Sequence, residues 1–274
     1  MHHHPDRQRR RHQGEPIRVT NLKAVSLDLW DTIIDDDSDE PKRKARGLRS
    51  KRAERRHLLW QALQRHGETS LDEVSRAFDA ADAAFAKAWR VNAVTWKIEQ
   101  RLDVALMQLG RELPADELEG LALAFGRMEL EVMPDLIDGI DEALKTLAKS
   151  YALCVVSDAI VTPGPALRML LERYHLSRYF HGFAFSDEVG RSKPHPSMFE
   201  SAARQLGVAV TEMAHVGDRE LNDIEGPRAL GMKAVLFTAK RQADKGGTAA
   251  DAVCHRARDL PQVIDALAAK APVA

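Results

Sequence analysis

Five polar side chains that could act together stand at or near the ends of short apolar segments far apart in the sequence. Asp28 follows the first segment and Ser157 ends the second. Asp218 follows a later segment, and Asp223 lies five residues further on. Lys193 lies in a polar stretch between two others. Carboxylates bind Mg²⁺, an ammonium group neutralises phosphoryl charge and a hydroxyl donates a hydrogen bond, so these residue types indicate a site for a divalent cation and a phosphoryl group.

These side chains can meet if the segments before them are neighbouring strands of one sheet. After Pro134 apolar runs alternate with amphipathic helical patterns, which indicates parallel strands covered by helices. The carboxyl ends of parallel strands share one edge of the sheet, and ligands bind at that edge. The predicted strands are 23–29, 152–157, 182–186, 213–217 and 233–237, and the predicted helices between them are 137–149, 166–174, 196–206 and 222–230.

A segment with a different pattern separates the first strand from the rest of the sheet. From about residue 43 to residue 132 apolar residues recur at helical spacing, and residues 70–73 (SLDE) have the form of a capping box. The sequence therefore predicts a four-helix unit, the helical insert, of residues 37–134. The remaining predicted units are a disordered lead-in of residues 1–18 and an α/β core of residues 19–36 and 135–274.

Four short motifs occur in a fixed order along the chain. They are residues 28–32 (DLWDT), 155–157 (VVS), 192–194 (SKP) and 217–223 (GDRELND). In these motifs the chain resembles the haloacid dehalogenase-like (HAD) superfamily, whose first motif is D-x-D-x-T/V and whose fourth is G-D-x-x-x-x-D. The resemblance is to the subgroup with a helical cap after the first motif. It covers about residues 22–36 and 135–240 well, whereas the insert matches only by its position and its helicity.

The resemblance implies a Rossmann-like, three-layer α/β/α core with a mostly parallel sheet, and it makes the helical insert the family's all-α cap. It implies that Asp28 is a nucleophile, which forms an aspartyl-phosphate that water then hydrolyses. Ser157 and Lys193 would hold the phosphoryl oxygens, and closure of the insert would exclude water and select the substrate. The implied Mg²⁺ ligands are Asp28, the backbone carbonyl of Trp30, Asp218 and Asp223, the last directly or through water.

One position departs from the family pattern. Phosphatases and phosphomutases of the family have an Asp at the third place of the first motif, where it protonates the leaving group and activates water, but this chain has Trp30. General acid–base catalysis is worth roughly 10² to 10⁴ in rate, so Trp30 argues against a phosphomutase. It favours leaving groups that need little protonation, such as acyl phosphates, or an acid from the substrate or the insert. Asp31 is adjacent, but neighbouring side chains on an extended chain point in opposite directions.

Three functions are compatible with these residues. An Mg²⁺-dependent phosphatase that acts on a small phosphorylated metabolite is favoured, because Asp218 and Asp223 are both present. A phosphate-binding or regulatory protein with little or no turnover is the first alternative, because Trp30 cannot act as the acid. A metal-independent 2-haloacid dehalogenase is the second alternative. That branch of the family has an aromatic residue at the position of Trp30, but it lacks the full pair of carboxylates.

Other residues with chemical potential receive structural interpretations. Phe85, Trp89 and Trp96 recur within the helical pattern of the insert and are expected to pack in its core. His195 and His215 flank two of the motifs, and the sequence assigns them no role. Taken singly, an Asp after a strand is usually a cap or a turn residue, so the site prediction depends on the four motifs together.

The net charge of −1 conceals a strong local imbalance. Residues 35–40 carry five acids, whereas residues 41–56 carry nine bases and one acid. The basic run is interpreted as a solvated helix partly compensated by the preceding acids, or as a surface that attracts a polyanionic substrate. Nucleic-acid binding is disfavoured, because no aromatic residues are interleaved in the run to stack on bases.

Length and composition suit a globular protein of one large or two small domains. The chain has 274 residues, of which 44% are hydrophobic and 30% are charged. No apolar run reaches the roughly 20 residues of a membrane span, and no apolar stretch follows the basic start as in a signal peptide. Two cysteines exclude a disulfide scaffold. A cytoplasmic location is therefore expected, and the sequence gives no indication of an oligomeric state.

Overall fold

A six-stranded parallel sheet is the centre of the fold. The computed structural model describes residues 22–244 and 246–269, so the predicted lead-in, residues 1–18, lies outside the described residues. The strands are β1 (Ala24–Leu27), β2 (Ile34–Asp35), β3 (Asp135–Leu136), β4 (Ala152–Ser157), β5 (Gly182–Phe185), β6 (Met213–Gly217), β7 (Lys233–Phe237) and β8 (Ala252–Cys254). Six of them form the sheet in the order β5-β4-β1-β6-β7-β8, and every neighbouring pair is parallel. The predicted parallel sheet is confirmed.

Helices cover both faces of this sheet, and further helices form the insert. The described helices are α1 (Asp39–Ala45), α2 (Lys51–Gln64), α3 (Leu71–Asn92), α4 (Ile98–Leu109), α5 (Ala115–Gly126), α6 (Met128–Glu131), α7 (Ile140–Leu147), α8 (Gly164–Arg173), α9 (Ser186–Val189), α10 (Pro196–Leu206), α11 (Gly226–Ala229) and α12 (Leu260–Ala269). Successive strand residues point to opposite faces. Val25 and Val155 pack with α7, α8 and α12, whereas Ala24 and Val156 pack with α10. The core is therefore the predicted three-layer α/β/α arrangement.

The helical insert has a hydrophobic core of its own. The long helices α2–α5 bury a cluster that includes Leu59, Phe78, Leu102 and Phe125, and the helices α1 and α6 are short. The capping box at the start of α3 is present, with the Ser70 hydroxyl accepting from the backbone N–H of Glu73. None of the described helices is long and apolar enough to cross a membrane. The division into core and insert at residues 36/37 and 134/135 stays a prediction.

The insert leaves and rejoins the core at one place. β2 and β3 lie just before and just after it and pair antiparallel, with Ile34 opposite Leu136 and Asp35 opposite Asp135. On the insert side, the Lys42 ammonium on α1 lies 2.6 Å from the Asp135 carboxylate. The two ends of the insert are therefore held side by side.

Two predicted helices are wrong in detail. The basic run 41–56 is not one helix, because α1 ends at Ala45 and Gly47 adopts the left-handed conformation (φ 71°) before α2 begins. Residues 222–230 are also not one α-helix: a π-helical turn (Glu220–Glu225) precedes α11. Pro227 has no N–H to continue the hydrogen bonding of the turn, but it is tolerated in the first turn of a new helix.

Candidate active site

The carboxyl edge of the parallel sheet brings the predicted site residues together. β1, β4 and β6 are neighbours, so Asp28, Ser157 and Asp218 stand side by side at the ends of these strands. Lys193 reaches the same place from the loop between α9 and α10, and Asp223 reaches it from the π-helical turn after β6. All five residues are buried. The structure therefore places every side chain of the predicted site in one cluster.

Lys193 joins two of the carboxylates. Its Nζ lies 2.8 Å from Oδ1 of Asp28 and 2.6 Å from Oδ1 of Asp223. Burial by itself lowers the pKa of the Lys193 ammonium, but Asp223 and Asp28 outweigh it and hold that pKa above its usual value. The ammonium group is therefore charged at neutral pH, directly beside the carboxylate that the sequence predicts as the nucleophile.

Asp223 is the most fully bonded carboxylate of the site. Besides Lys193, its Oδ1 lies 3.2 Å from Nε2 of His215, and its Oδ2 accepts the backbone N–H of Arg219 at 2.9 Å. Burial raises the pKa of Asp223, but Lys193 and His215 together lower it below its usual value, so this carboxylate is ionised. His215, to which the sequence assigns no role, is itself held by the Ser26 hydroxyl, with Oγ 2.8 Å from Nδ1. His215, on β6, therefore helps to hold Asp223 in position.

Asp218 differs sharply from Asp223. Both of its carboxylate oxygens are buried and have no hydrogen-bond partner within the described part of the chain. Burial, and then the charges of Asp28 and Asp223, raise the pKa of Asp218 to about 8. The Ser157 hydroxyl is likewise buried without a partner among the described residues. A carboxylate and a hydroxyl in this condition are the groups to which a bound cation and a phosphoryl oxygen would attach.

The donor set fits the implied Mg²⁺. One oxygen from each of Asp28, Asp218 and Asp223 can be chosen so that all three lie within 4.8 Å of one another. Mg²⁺ prefers hard oxygen ligands, and the oxygens of Asp218, which accept no hydrogen bond from the described residues, are available to a cation. The backbone carbonyl of Trp30, the fourth implied ligand, belongs to a residue that lines the same pocket. Its role as a ligand stays a prediction.

A pocket of about 30 Å³ lies over Asp28 between the core and the helical insert, with room for about one or two water molecules. Trp89, on α3, forms part of its wall, and the Trp89 indole N–H donates to Oδ2 of Asp158 at 3.0 Å. The expectation that Trp89 packs in the insert core is therefore wrong, because the N–H of the indole bonds to the core loop instead. The lining residues are Asp28, Trp30, Trp89, Ser157, Asp158, Ile160, Lys193, Arg219 and Asn222.

Asp158 is a residue of this site that the sequence analysis does not single out. Its Oδ1 accepts the backbone N–H of Lys193 at 2.9 Å. Burial raises the pKa of Asp158 to about 6, although Lys193 acts in the opposite direction. An acid directly after a buried strand is the signal that identifies Asp28, so the same signal could have identified Asp158. Trp89 is 69 residues away from Asp158, and no sequence pattern links them.

The acids of residues 35–40 do compensate part of the basic run. Lys51 is buried, and its Nζ lies 3.1 Å from Asp37, 2.9 Å from Asp39 and 3.3 Å from Glu129. Burial lowers the pKa of Lys51, but Glu129 and Asp39 outweigh it and raise that pKa. None of the nine bases of residues 41–56 is among the described residues that line the pocket over Asp28. Contact between this run and a substrate stays a prediction.

Comparison with known proteins gives a family and several relatives. Residues 22–231 match the haloacid dehalogenase-like hydrolases. A glyceraldehyde 3-phosphate phosphatase of Methanopyrus kandleri is 36% identical over 114 residues, which cover 39% of this chain and 49% of the relative. A phosphoglycolate phosphatase of Escherichia coli is 30% identical over 155 residues, which cover 53% of this chain and 60% of the relative. The chain thus spans about half of the length of the curated relatives it matches.

Solved structures resemble the chain over most of its length. A 2-haloacid dehalogenase of Pseudomonas syringae is 24% identical with a TM-score of 0.64, and the match covers 90% of this chain and 99% of that one. The HAD hydrolase YfnB of Bacillus subtilis, solved with bound magnesium, is 15% identical with a TM-score of 0.58, and the match covers 89% of this chain and 99% of that one. At these identities the likeness shows the fold alone.

Proposed function

The chain belongs to the haloacid dehalogenase-like hydrolases, and on that basis we propose that it is an Mg²⁺-dependent phosphatase of small phosphorylated metabolites. Asp218 is the observation that carries the proposal. Its buried oxygens accept no hydrogen bond within the described chain, the Nε atoms of Arg219 and Arg241 are 3.9 Å away, and two further carboxylates lie beside it. Such a carboxylate is costly to ionise unless a cation binds there. The names of the relatives, a glyceraldehyde 3-phosphate phosphatase and a phosphoglycolate phosphatase, support a small phosphorylated substrate.

Each side chain of the site has a distinct proposed role. An oxygen of Asp28 attacks phosphorus and forms an acyl phosphate, while the leaving-group oxygen departs with the bonding electron pair. Water then attacks the phosphorus, which frees phosphate and restores the Asp28 carboxylate. Lys193 and Ser157 hold the phosphoryl oxygens during both steps. Bound Mg²⁺, held by Asp28, Asp218, Asp223 and the Trp30 carbonyl, would neutralise negative charge on the phosphoryl group.

Trp30 restricts the substrates that this site can hydrolyse rapidly. The residue lines the pocket over Asp28 and has no group that could protonate an alkoxide leaving group. An acyl phosphate releases a carboxylate and a phosphoanhydride releases a phosphate, and both groups leave without protonation. Acyl phosphates and phosphoanhydrides are therefore the proposed substrate class within the small phosphorylated metabolites.

Phosphate release from a panel of compounds tests the proposal. The panel contains acetyl phosphate, phosphoglycolate and glyceraldehyde 3-phosphate, each assayed with Mg²⁺ and with a chelator. We expect Mg²⁺-dependent release that falls by about 10³-fold or more in Asp28→Asn, because the nucleophile is lost. Asp31→Asn is the matched control, since Asp31 is the adjacent carboxyl and asparagine tolerates its left-handed backbone (φ 55°).

A phosphate-binding protein with little turnover is the second candidate, and Trp30 is the observation that favours it. In that case Mg²⁺ and the phosphate analogue BeF₃⁻ would bind at Asp28, but no compound of the panel would be hydrolysed. Absence of both binding and hydrolysis would exclude both candidates. Release of chloride from 2-chloropropionate without metal would identify a dehalogenase instead.

A further inference from the structure

A second pocket, lined by arginines, lies within the helical insert where it meets the core. Four arginines line it, and Asp82 is the one acid among the described residues of its wall. The remaining wall is apolar and includes Val161 of the core loop that follows β4. The arginines are Arg52, Arg55 and Arg56 from α2, within the basic run, and Arg101 from α4.

Three of the four guanidinium groups have carboxylate partners. Arg52 and Arg56 both donate to Oδ1 of Asp79. Arg101 donates to Asp82 and, at 3.0 Å, to the backbone carbonyl of Ile160 in the core. Their charges are therefore compensated within the insert, and Arg101 also connects the insert to the loop after β4.

Arg55 is the exception. Its side chain is only 17% exposed, and its nearest carboxylate oxygen, Oε1 of Glu129, is 3.9 Å away, beyond hydrogen-bond distance. Glu129 also lies 3.3 Å from Lys51 and accepts the Thr162 hydroxyl, so it is shared. Nε of Arg55 is buried with no partner within residues 22–244 and 246–269. Burial, and then the charge of Arg101, lower the pKa of Arg55 despite Glu129.

A largely buried guanidinium group whose Nε has no hydrogen-bond partner is unfavourable, because that N–H has lost water without gaining another acceptor. A guanidinium group presents a planar fork of N–H donors that matches the oxygens of a tetrahedral or planar anion. The Arg52 side chain, which also lines the pocket, is 70% exposed, so this arginine lies on the solvent side of the pocket. We propose that this arginine pocket is a second anion site, centred on Arg55, for an oxyanion of the phosphate or sulfate class.

The arginine pocket is close in sequence to the wall of the pocket over Asp28, so an anion bound there can affect the Asp28 site. Val161 lines the arginine pocket, and the preceding residue, Ile160, lines the pocket over Asp28. An anion held by Arg55 therefore lies beside the loop that carries Ile160 and Val161, and through this loop it can affect the wall of the pocket over Asp28. The anion is either free phosphate or a second anionic group of the substrate. Only the latter source depends on the proposed phosphatase function.

Sulfate titration followed by thermal unfolding tests the site without any need for activity. Native protein, Arg55→Met and Arg65→Met are compared in sodium sulfate against sodium chloride of equal ionic strength. We expect sulfate to stabilise the native protein and Arg65→Met, since the Arg65 side chain is exposed and pairs with Glu117. In Arg55→Met we expect an apparent sulfate affinity weaker by about tenfold or more, because hydrogen bonds to a charged group are lost.

Several results would overturn the proposal. Equal sulfate stabilisation in Arg55→Met and native protein would do so, as would the absence of any sulfate effect on the native protein. A sulfate effect lost in Ser157→Ala but kept in Arg55→Met would place the anion at the Asp28 site instead. Crystals soaked in selenate give an answer that does not depend on the folding of variants: an anomalous peak beside Arg55 is expected, and its absence would refute the site.

A kinetic comparison separates the two sources of the anion. If the anion is part of the substrate, Arg55→Met raises the KM for phosphoglycolate about tenfold and leaves the KM for 4-nitrophenyl phosphate unchanged. If it is free phosphate or sulfate, both KM values change together and sulfate at low concentration lowers them in the native protein. Loss of sulfate binding in Arg55→Met with no hydrolysis by any variant would support the anion site and contradict the phosphatase.

Discussion

Two carboxylates five residues apart in one motif are held in different states by their neighbours. Asp223 receives hydrogen bonds from Lys193 and the Arg219 backbone and is ionised. Asp218 has no hydrogen-bond donor in the described chain and faces two other carboxylates, so it takes up a proton more readily. Asp223 therefore fixes the position of Lys193, and Asp218 is left available for a cation.

Mg²⁺ binding is expected to release a proton from Asp218. Since the pKa of Asp218 is raised to about 8, the metal-free carboxyl is protonated below that pH, and a cation must displace the proton. We expect the apparent Mg²⁺ affinity to fall by up to about tenfold per pH unit as the pH decreases below about 8. Isothermal titration calorimetry in buffers of different ionisation enthalpy measures both quantities. An affinity that does not change with pH, or binding that survives in Asp218→Asn, would contradict this assignment.

Replacing Trp30 by Asp is expected to restore part of the missing acid catalysis. The new carboxyl would face the pocket over Asp28 and could protonate an alkoxide leaving group, an effect worth roughly 10² to 10⁴ in an optimised site. We expect kcat/KM for phosphoglycolate to rise by about tenfold or more, and that for acetyl phosphate to change much less. Trp30→Phe is the control, because it removes the indole without adding an acid. Equal changes for both substrates in Trp30→Asp would show that Trp30 acts by packing alone.

At the scale of elements, α3 carries one of the contacts that join the insert to the loops of the Asp28 site. The Trp89 indole donates to Asp158, Asp158 accepts the Lys193 backbone N–H, and the Arg219 guanidinium lies 5.8 Å from the centre of the Trp89 ring. One side chain of the insert thus contacts two loops of the core.

Trp89→Phe is expected to weaken closure of the insert and to spare its folding. The ring remains, but a hydrogen bond to a buried carboxyl is lost, so we expect KM to rise by about fivefold to tenfold with little change in thermal stability. Trp60→Phe is the matched control, because the Trp60 indole donates to the Thr69 carbonyl inside the insert. We expect that variant to have normal KM and lower thermal stability. Similar KM values in the two variants would show that the Trp89 hydrogen bond to Asp158 does not affect substrate binding.

The elements that could be predicted correctly from the sequence are those in which apolar residues form a clear pattern. β4, β6 and β7 occur within the predicted ranges, because each is mostly apolar and almost entirely buried in the sheet. β8 has three residues, too few for a pattern, and it is defined by pairing with β7. The break between α1 and α2 depends on Gly47. The turn could not be predicted, because the residues on both sides of it are charged and show no apolar pattern that ends there. Most residues of the site could be predicted because they lie at the ends of predicted strands. The Trp89–Asp158 contact could not be predicted, because it arises only from tertiary packing.

At the scale of the whole molecule, the stability of the fold is expected to depend on Asp158. Its pKa is raised to about 6 in the folded state, from an ordinary value near 3.8. The folded protein therefore holds this proton more tightly than the unfolded chain. The resulting stabilisation is fully present below about pH 4 and is lost as the pH rises through about 6, which amounts to about 2–3 kcal/mol.

Urea unfolding at several pH values checks this expectation. Relative to Asp158→Asn, the native protein should lose about 2–3 kcal/mol of unfolding free energy between about pH 4 and pH 7. Asp103→Asn, a change of an exposed acid on α4, serves as the control and should follow the native curve. A constant difference between native protein and Asp158→Asn over this range would show that Asp158 titrates alike in the folded and unfolded states.

The pairing of β2 with β3 also has a topological meaning. In the connectivity of the core these two strands are a hairpin, and residues 36–134 are its loop. The entropy of closing a loop grows only with the logarithm of its length, so the core bears little cost for carrying a whole folded unit there. A two-residue turn between Asp35 and Asp135 could in principle complete the same sheet. Changes of substrate preference can therefore arise by exchanging the unit inserted in this hairpin, while the order of the strands and the carboxyl edge of the sheet stay as they are.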